Sequence, residues 1–331
     1  MWRTAQLSLK HMIRTALLLS LVTAIALGSS GALAQDDAAE RIRAAYAAHD
    51  DWQTYTVQAE ITAWSAIVAE GAYDSGKSYW RQQERSASVV GTYDRSAPDN
   101  VAVSLTVSGT ADLSVQQDGT ETPSTWSADM DAALSDGDLY WRGSFESDPA
   151  TNFVLPGDWE TFTASDLSQV PAFTDLGLSR YLDQDRIDPF VGDYEAWLDA
   201  ADSIEGPDTI KLGGGATGEV YTVTLPLSAA PELVASRVSV LTEGPNALVT
   251  RDALLAQIAE DGTLVWRVVI DPETGALIGQ ELKGDVNTEV SGDALLDPYV
   301  SLSVAYSEQQ SVLFSAVDEP VAPLDLSTNG S

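Results

Sequence analysis

The chain has 331 residues, 50 Asp and Glu against 17 Lys and Arg, a formal net charge of −33, and no cysteine. The length holds one large domain or two modest ones, and the charge argues against nucleic acid and anionic membrane surfaces as partners. The missing cysteine excludes disulfides, thiolate metal sites and cysteine nucleophiles, while a hydrophobic content of 44% is that of a folded chain.

The N-terminus reads as a secretion leader. Arg3, Lys10 and Arg14 form a basic region, residues 16–27 an uncharged apolar run too short to span a bilayer comfortably, and Ala32-Leu33-Ala34 a small-x-small cleavage site. The expectation is a signal peptide over 1–34, cleavage near Ala34, and an extracytoplasmic mature chain, secreted or periplasmic, with no stable membrane anchor. Cleavage removes three cations and no acid, so the mature chain is more acidic still. A strongly charged surface of this kind favours solubility.

Residues 36–49 are Ala-rich with acids in the first turn, which suits the positive end of a helix dipole. Residues 52–68 then alternate. Tyr55, Val57, Ala59, Ile61, Ala63 and Ile67 fall on one face, and Thr54, Thr56, Gln58, Glu60 and Thr62 on the other. This run is long for a strand, so a curved sheet with a bend or bulge is expected. Residues 77–93 read as a mixed polar strand pair near an edge. Val103, Leu105 and Val107 mark another half-buried strand, and Asp118-Gly119 a turn. Leu139, Trp141 and Phe145 alternate after the turn Ser135-Asp136-Gly137-Asp138.

From 148 to 188 the pattern breaks, with 155–163 as a candidate short strand. Residues 189–201 read as a short helix with Pro189 in its first turn. Residues 209–212 and 219–227 read as strands around Gly213-Gly214-Gly215, and 230–243 and 247–260 as two helices separated by Gly244-Pro245. Thr263 to Ile270 and Ala276 to Leu282 flank the turn Asp271-Pro272-Glu273-Thr274-Gly275 and predict a hairpin. Val300, Leu302, Val304 and Tyr306 alternate with Ser301, Ser303 and Ala305 as a third strand. This meander is taken as the core of the sheet. No linker divides the chain, so 35–323 reads as a single α+β domain, an antiparallel sheet with helices on one face, followed by a polar tail over 324–331.

Chemical motifs are sparse. Lys211 to Gly218 is glycine-rich but lacks Lys-Ser/Thr after its last glycine and joins two strands, so it reads as a hairpin loop and not a phosphate cradle. His49, the one histidine left after cleavage, would have to serve any Ser-His-Asp triad, yet no Gly-x-Ser-x-Gly elbow accompanies it. Beside Asp50 and Asp51 it reads as surface electrostatics. Asp129, Asp131, Asp136 and Asp138 cluster around a turn without the spacing or terminal Glu of an EF-hand. Turn chemistry is the simpler reading, and weak Ca²⁺ binding stays open. No carboxylate pair stands out for glycoside hydrolysis. No enzyme chemistry, metal or cofactor is expected. Trp141, Trp197, Tyr221 and Trp266 fall on apolar faces, either as core or as the lining of a ligand cavity.

An ordered set of segments resembles the bacterial lipoprotein-carrier superfamily, the LolA/LolB-like fold, and within it the LppX/LprG-like lipoproteins. The segments are DWQTYTVQAEI at 51–61, DGDLYWR at 136–142, the stretch 189–225, the helical insertion 230–260, VWRVVIDPETGALIGQEL at 265–282 and the closing 300–323. In the last, Asp318-Glu319-Pro320-Val321 stands in place of Asn-Glu-Pro-Val. The resemblance implies a curved antiparallel half-barrel wrapped around helices, with an apolar cavity for acyl chains. One departure is Gln35 where the LppX/LprG-like members carry a lipobox cysteine, so this chain would be released instead of anchored.

The resemblance makes the ligand a hydrophobic one, such as lipid acyl chains, sequestered at roughly 0.8 kcal/mol per buried CH₂. The wall of that cavity is assigned to Val57, Ile61, Val103, Leu105, Leu139, Trp141, Val223, Leu225, Trp266, Val268, Leu302 and Val304. The lid is assigned to Phe190, Trp197, Leu198, Leu254, Leu255 and Ile258. If these side chains pack as a closed core, the alternative is an interaction or structural domain of the envelope, with a protein partner and no ligand.

Overall fold

Apolar residues at every second position of strands such as Thr54–Ala72, Ala102–Gln117 and Ser301–Ser315 bury one face and leave the other largely to Ser, Thr, Gln and acids. The computed structural model describes residues 35–72, 77–96, 101–117, 120–150, 154–163, 193–212, 216–230, 249–290, 295 and 301–321. Helix α1 spans Gln35–Asp50, followed by strands β1 (Thr54–Ala72), β2 (Lys77–Asp94), β3 (Ala102–Gln117), β4 (Thr120–Ser135), β5 (Asp138–Asp148) and β6 (Glu160–Phe162). Then come α2 (Tyr194–Asp199), β7 (Ser203–Lys211), β8 (Thr217–Pro226), a single 3₁₀ turn at Leu227–Ala229, α3 (Arg251–Asp261), β9 (Thr263–Ile270), β10 (Leu277–Val290) and β11 (Ser301–Ser315).

All eleven strands form one antiparallel sheet in the order β6-β5-β4-β3-β2-β1-β11-β10-β9-β8-β7. The chain starts near the middle, meanders out to β6, re-enters at the far edge with β7, and meanders back until β11 pairs with β1 over Thr56↔Ser315 to Glu70↔Ser301. The sheet is not closed: β6 and β7 are its two ends. Both are poor templates for a further strand. β6 has three residues, and β7 carries Gly206-Pro207 at a register shift between Glu205 and Asp208, and edge strands are blunted in these ways.

Helices α1 and α3 pack on the buried face. In α1 the residues Ala38, Ile42, Ala45, Tyr46 and His49 form one buried stripe at helical spacing, laid against β7, β9 and β10. Tyr46 donates a hydrogen bond to Gln280 Oε1 on β10, and the same oxygen accepts Trp266 Nε1–H at 3.2 Å. Arg43 ties α1 to α2 through Glu195 at 2.9 Å and Asp199 at 3.3 Å.

Several expectations are corrected. Residues 77–93 do not form a strand pair at an edge; they are one 18-residue strand, β2, deep in the sheet beside β1. Gln83 and Arg85 point into its buried face and so break the apolar alternation that would have marked it. Strand β4 went unread, although Ala128, Met130, Ala132 and Leu134 alternate with Asp129 and Asp131. The long β1 keeps continuous register with β2 up to Ala69 and is irregular only between Ala69 and Ala72. His49 is not a surface residue. It is fully buried, its ring centroid 4.3 Å from Trp52, 5.2 Å from Tyr55 and 5.1 Å from Phe314. The Asp118-Gly119 turn, the glycine loop at 213–215, the first inserted helix at 230–243 beyond Ala230, the tail and the leader lie outside the described residues.

Candidate functional site

The side chains assigned to the cavity wall do converge on the inner face of the sheet. Val57, Ile61, Val223, Leu225, Trp266 and Val268 are each 0% exposed. Val103, Leu105, Trp141, Leu302 and Val304 are also buried, and Leu139 is partly buried against them. Zero exposure means that no space the size of a water molecule touches a side chain, so these six are sealed by protein atoms. The lid residues Trp197, Leu198, Leu254 and Ile258 are buried in the same cluster. Phe190 and the side chain of Leu255 lie outside the described residues.

Wall and lid touch directly. Trp197 on α2 meets Trp266 on β9 edge to face, with ring centroids 5.3 Å apart and planes at 81°. Tyr46 stacks on Tyr194 at 4.8 Å and leans on Trp266 at 5.5 Å. This aromatic layer joins α1 and α2 to the inner face of the sheet. Burial, and after it the charge of Asp50, holds the Tyr194 hydroxyl above the ordinary tyrosine range.

Further along the inner face the lining turns polar. Arg85 on β2 reaches Glu308 on β11 at 3.4 Å, with side chains only 6% and 9% exposed, and Tyr306 donates its hydroxyl proton to the same carboxylate. A cavity of about 10 Å³, no larger than one water, opens beside them, lined by Leu227, Leu264, Leu282, Gly284, Tyr306 and Glu308.

The acidic cluster bonds across the sheet. Asp131 accepts Thr106 Oγ1–H at 2.9 Å and pairs with Arg142 at 2.9 Å, while Asp129 accepts Ser108 Oγ–H at 2.5 Å. Asp136 and Gly137 form the two-residue turn between β4 and β5. Among the described residues no group of three or more His, Asp or Glu is placed to hold a metal ion, and no helix among them is long and apolar enough to cross a membrane.

A second concavity lies on the opposite, outer face. It is a groove of about 420 Å³ across β3, β2, β1 and β11, lined by Trp64, Glu84 and Asp112, by hydrogen-bonding groups including Thr62, Ser307 and Gln309, and at its floor by Ala63 and Arg85, whose guanidinium turns to Glu308 on the inner face. Sequence reasoning did not find it. The signal was present: Thr54, Thr56, Gln58, Glu60 and Thr62 occupy the polar register of β1, and the next position in that register is Trp64.

No protein-family model matches the sequence, and no curated protein is significantly similar to it. Among solved structures, the beta-barrel-like protein of the domain of unknown function DUF1849 from Brucella abortus aligns at 11% identity, over 76% of this chain and 97% of that one, with a TM-score of 0.20. The translocator domain of the autotransporter NalP from Neisseria meningitidis aligns at 10% identity, over 83% and 94%, with a TM-score of 0.21. Superpositions of this quality define neither fold family nor function. What this molecule shows by itself is an open eleven-stranded antiparallel sheet with few helices.

Proposed function

We propose that this chain is an extracytoplasmic, non-enzymatic interaction domain of the cell envelope, built on a lipoprotein-carrier-like sheet whose interior is filled. The observation that carries the reading is the contact of Trp197 with Trp266, lid against wall, above wall side chains that no solvent-sized space reaches. The buried Arg85–Glu308 pair adds to it, since a charged pair inside the sheet face is a poor neighbour for an acyl chain. A protein partner then engages the outside of the fold. The leader predicted over 1–34 supplies the export route.

A second reading, sequestration of lipid acyl chains, draws on the small apolar opening between the 3₁₀ turn and the sheet, where Leu227, Leu264 and Leu282 meet. In that reading α3, which packs on the 3₁₀ turn and β10, moves away to admit the chain. Native mass spectrometry of the mature protein purified from its own host, followed by solvent extraction, separates the two. The interaction domain gives a clean protein mass and no uptake of a fluorescent fatty acid. A co-purifying lipid of defined mass overturns it in favour of the carrier.

A further inference from the structure

The outer register of β1 is polar from Thr54 to Thr62, and Trp64 is the first and largest apolar side chain to break it. The residue is 37% exposed at the centre of an eleven-stranded sheet, and among the described residues it has no aromatic partner. A buried-core role is closed to it, because the core register of this strand runs through Ile61, Ala63 and Ile67 on the other face.

Its neighbours have an unusual charge arrangement. Glu84 on β2 stands directly opposite Trp64, and Asp112 on β3 stands directly opposite Glu84. Like charges facing each other across a strand pair are destabilising. Among the described residues neither carboxylate is ion-paired, and Glu84 only accepts a hydrogen bond from Gln82 Nε2–H at 3.3 Å. Around them the groove offers neutral donors and acceptors, with Ser86 and Thr110 hydroxyls 3.1 Å apart and Gln309 across β1 from them; the one cation bordering it among the described residues, Arg85, is buried and paired with Glu308 on the other face. Four strands at about 4.8 Å spacing give the groove a width of about 14 Å, enough for a small molecule.

An exposed indole face beside two uncompensated carboxylates in a concave surface is complementary to positive charge carried on carbon-bound groups. It repels anions, and two carboxylates alone do not supply the oxygen shell that a hard divalent cation requires. We propose that this groove binds a small organic cation, an amine or quaternary ammonium. Its charged end lies against Trp64, Glu84 and Asp112, and its remaining polar atoms bond the hydroxyl row. The strong negative charge of the whole chain raises the local concentration of such ligands. This site is on the opposite face from the interior and stands whether or not the interior admits lipid.

The test is isothermal titration of the full mature protein with choline at about 0.15 M salt, where long-range attraction to the acidic surface is screened. The expected result is saturable one-to-one binding, weakened about tenfold or more by Trp64→Ala and by the pair Glu84→Gln with Asp112→Asn. Glu121→Gln, an exposed carboxylate outside the groove, leaves binding unchanged. The neutral isostere 3,3-dimethyl-1-butanol does not bind. All changed side chains lie on the solvent face, and circular dichroism verifies folding of each variant. Absence of saturable choline binding, equal binding after Trp64→Ala or after the paired carboxylate change, loss on Glu121→Gln, or equal binding of the isostere each overturns the proposal.

Discussion

Arg85 and Glu308 sit on strands that are not neighbours, yet they form an ion pair at 3.4 Å, because each stands opposite Ala63 on the strand between them. Only a side chain as small as a methyl at that central position leaves room for a guanidinium to cross β1. Both partners are nearly excluded from water, so removing one leaves a buried charge uncompensated. Arg85→Ala is expected to cost about 3–5 kcal/mol, whereas the apolar pair Arg85→Met with Glu308→Leu is expected to be near neutral or stabilising. Urea unfolding of the three proteins checks this. Equal losses for the single and the double change would show that the charges themselves do not govern the site.

The contact between Trp197 and Trp266 makes a second prediction. Truncating Trp197, 1% exposed, removes a large apolar surface and leaves a cavity under α2. Trp197→Ala is expected to lose about 3–5 kcal/mol, measured by denaturant unfolding. Trp197→Phe refills part of the space and is expected to recover a good share of that loss. A Trp197→Ala protein as stable as the parent would mean that α2 does not close the interior.

These residues also show what could be read in the sequence. The alternation in β1, β3 and β11 was legible because each strand has one apolar and one polar face, and the Asp271 to Gly275 turn because its chemistry is local. Strand β2 was misread where Gln83 and Arg85 turn inward, since polar residues on a buried face break the alternation and the partner of Arg85, Glu308, lies across β1 and far along the chain. His49 was misread for the same reason: its acidic neighbours are adjacent in the chain, but Phe314, which helps enclose it, is not. Those wall and lid residues that the structure describes pack in or against the core, and periodicity cannot distinguish a lined cavity from a filled one. That distinction depends on how far apart two layers stand.

The turn between β4 and β5 gives a local test. Asp136 and Gly137 both adopt positive φ, 54° and 82°, between the paired residues Ser135 and Asp138. Two-residue hairpins of this hand match the twist of the strands, and Asp tolerates the left-handed region better than most residues. Gly137→Val places a β-branched side chain there and is expected to cost about 1–2 kcal/mol, read as a lower unfolding midpoint. Gly137→Asn is expected to be much milder. Equal effects of the two would remove backbone conformation as the cause.

Asp271 opens the turn between β9 and β10 and accepts hydrogen bonds from the backbone N–H groups of Glu273 at 2.7 Å and Thr274 at 3.0 Å. The Thr274 and Glu273 bonds, in that order, hold its carboxyl below the ordinary aspartate range. A group whose pKa is lower in the folded state adds stability above its unfolded value and loses that contribution as pH falls through the folded one. Asp271→Asn keeps acceptors for the same N–H groups and removes only the charge. The parent is therefore expected to be more stable than Asp271→Asn at neutral pH, with the gap narrowing in the acid range below the ordinary aspartate pKa. Thermal midpoints of both proteins from neutral to strongly acidic pH measure it. Because the carboxylate is close to solvent, the gap is small, and its dependence on pH, more than its size, is the diagnostic. A gap of constant size across the acid range would show that the ionised form is not what the turn favours.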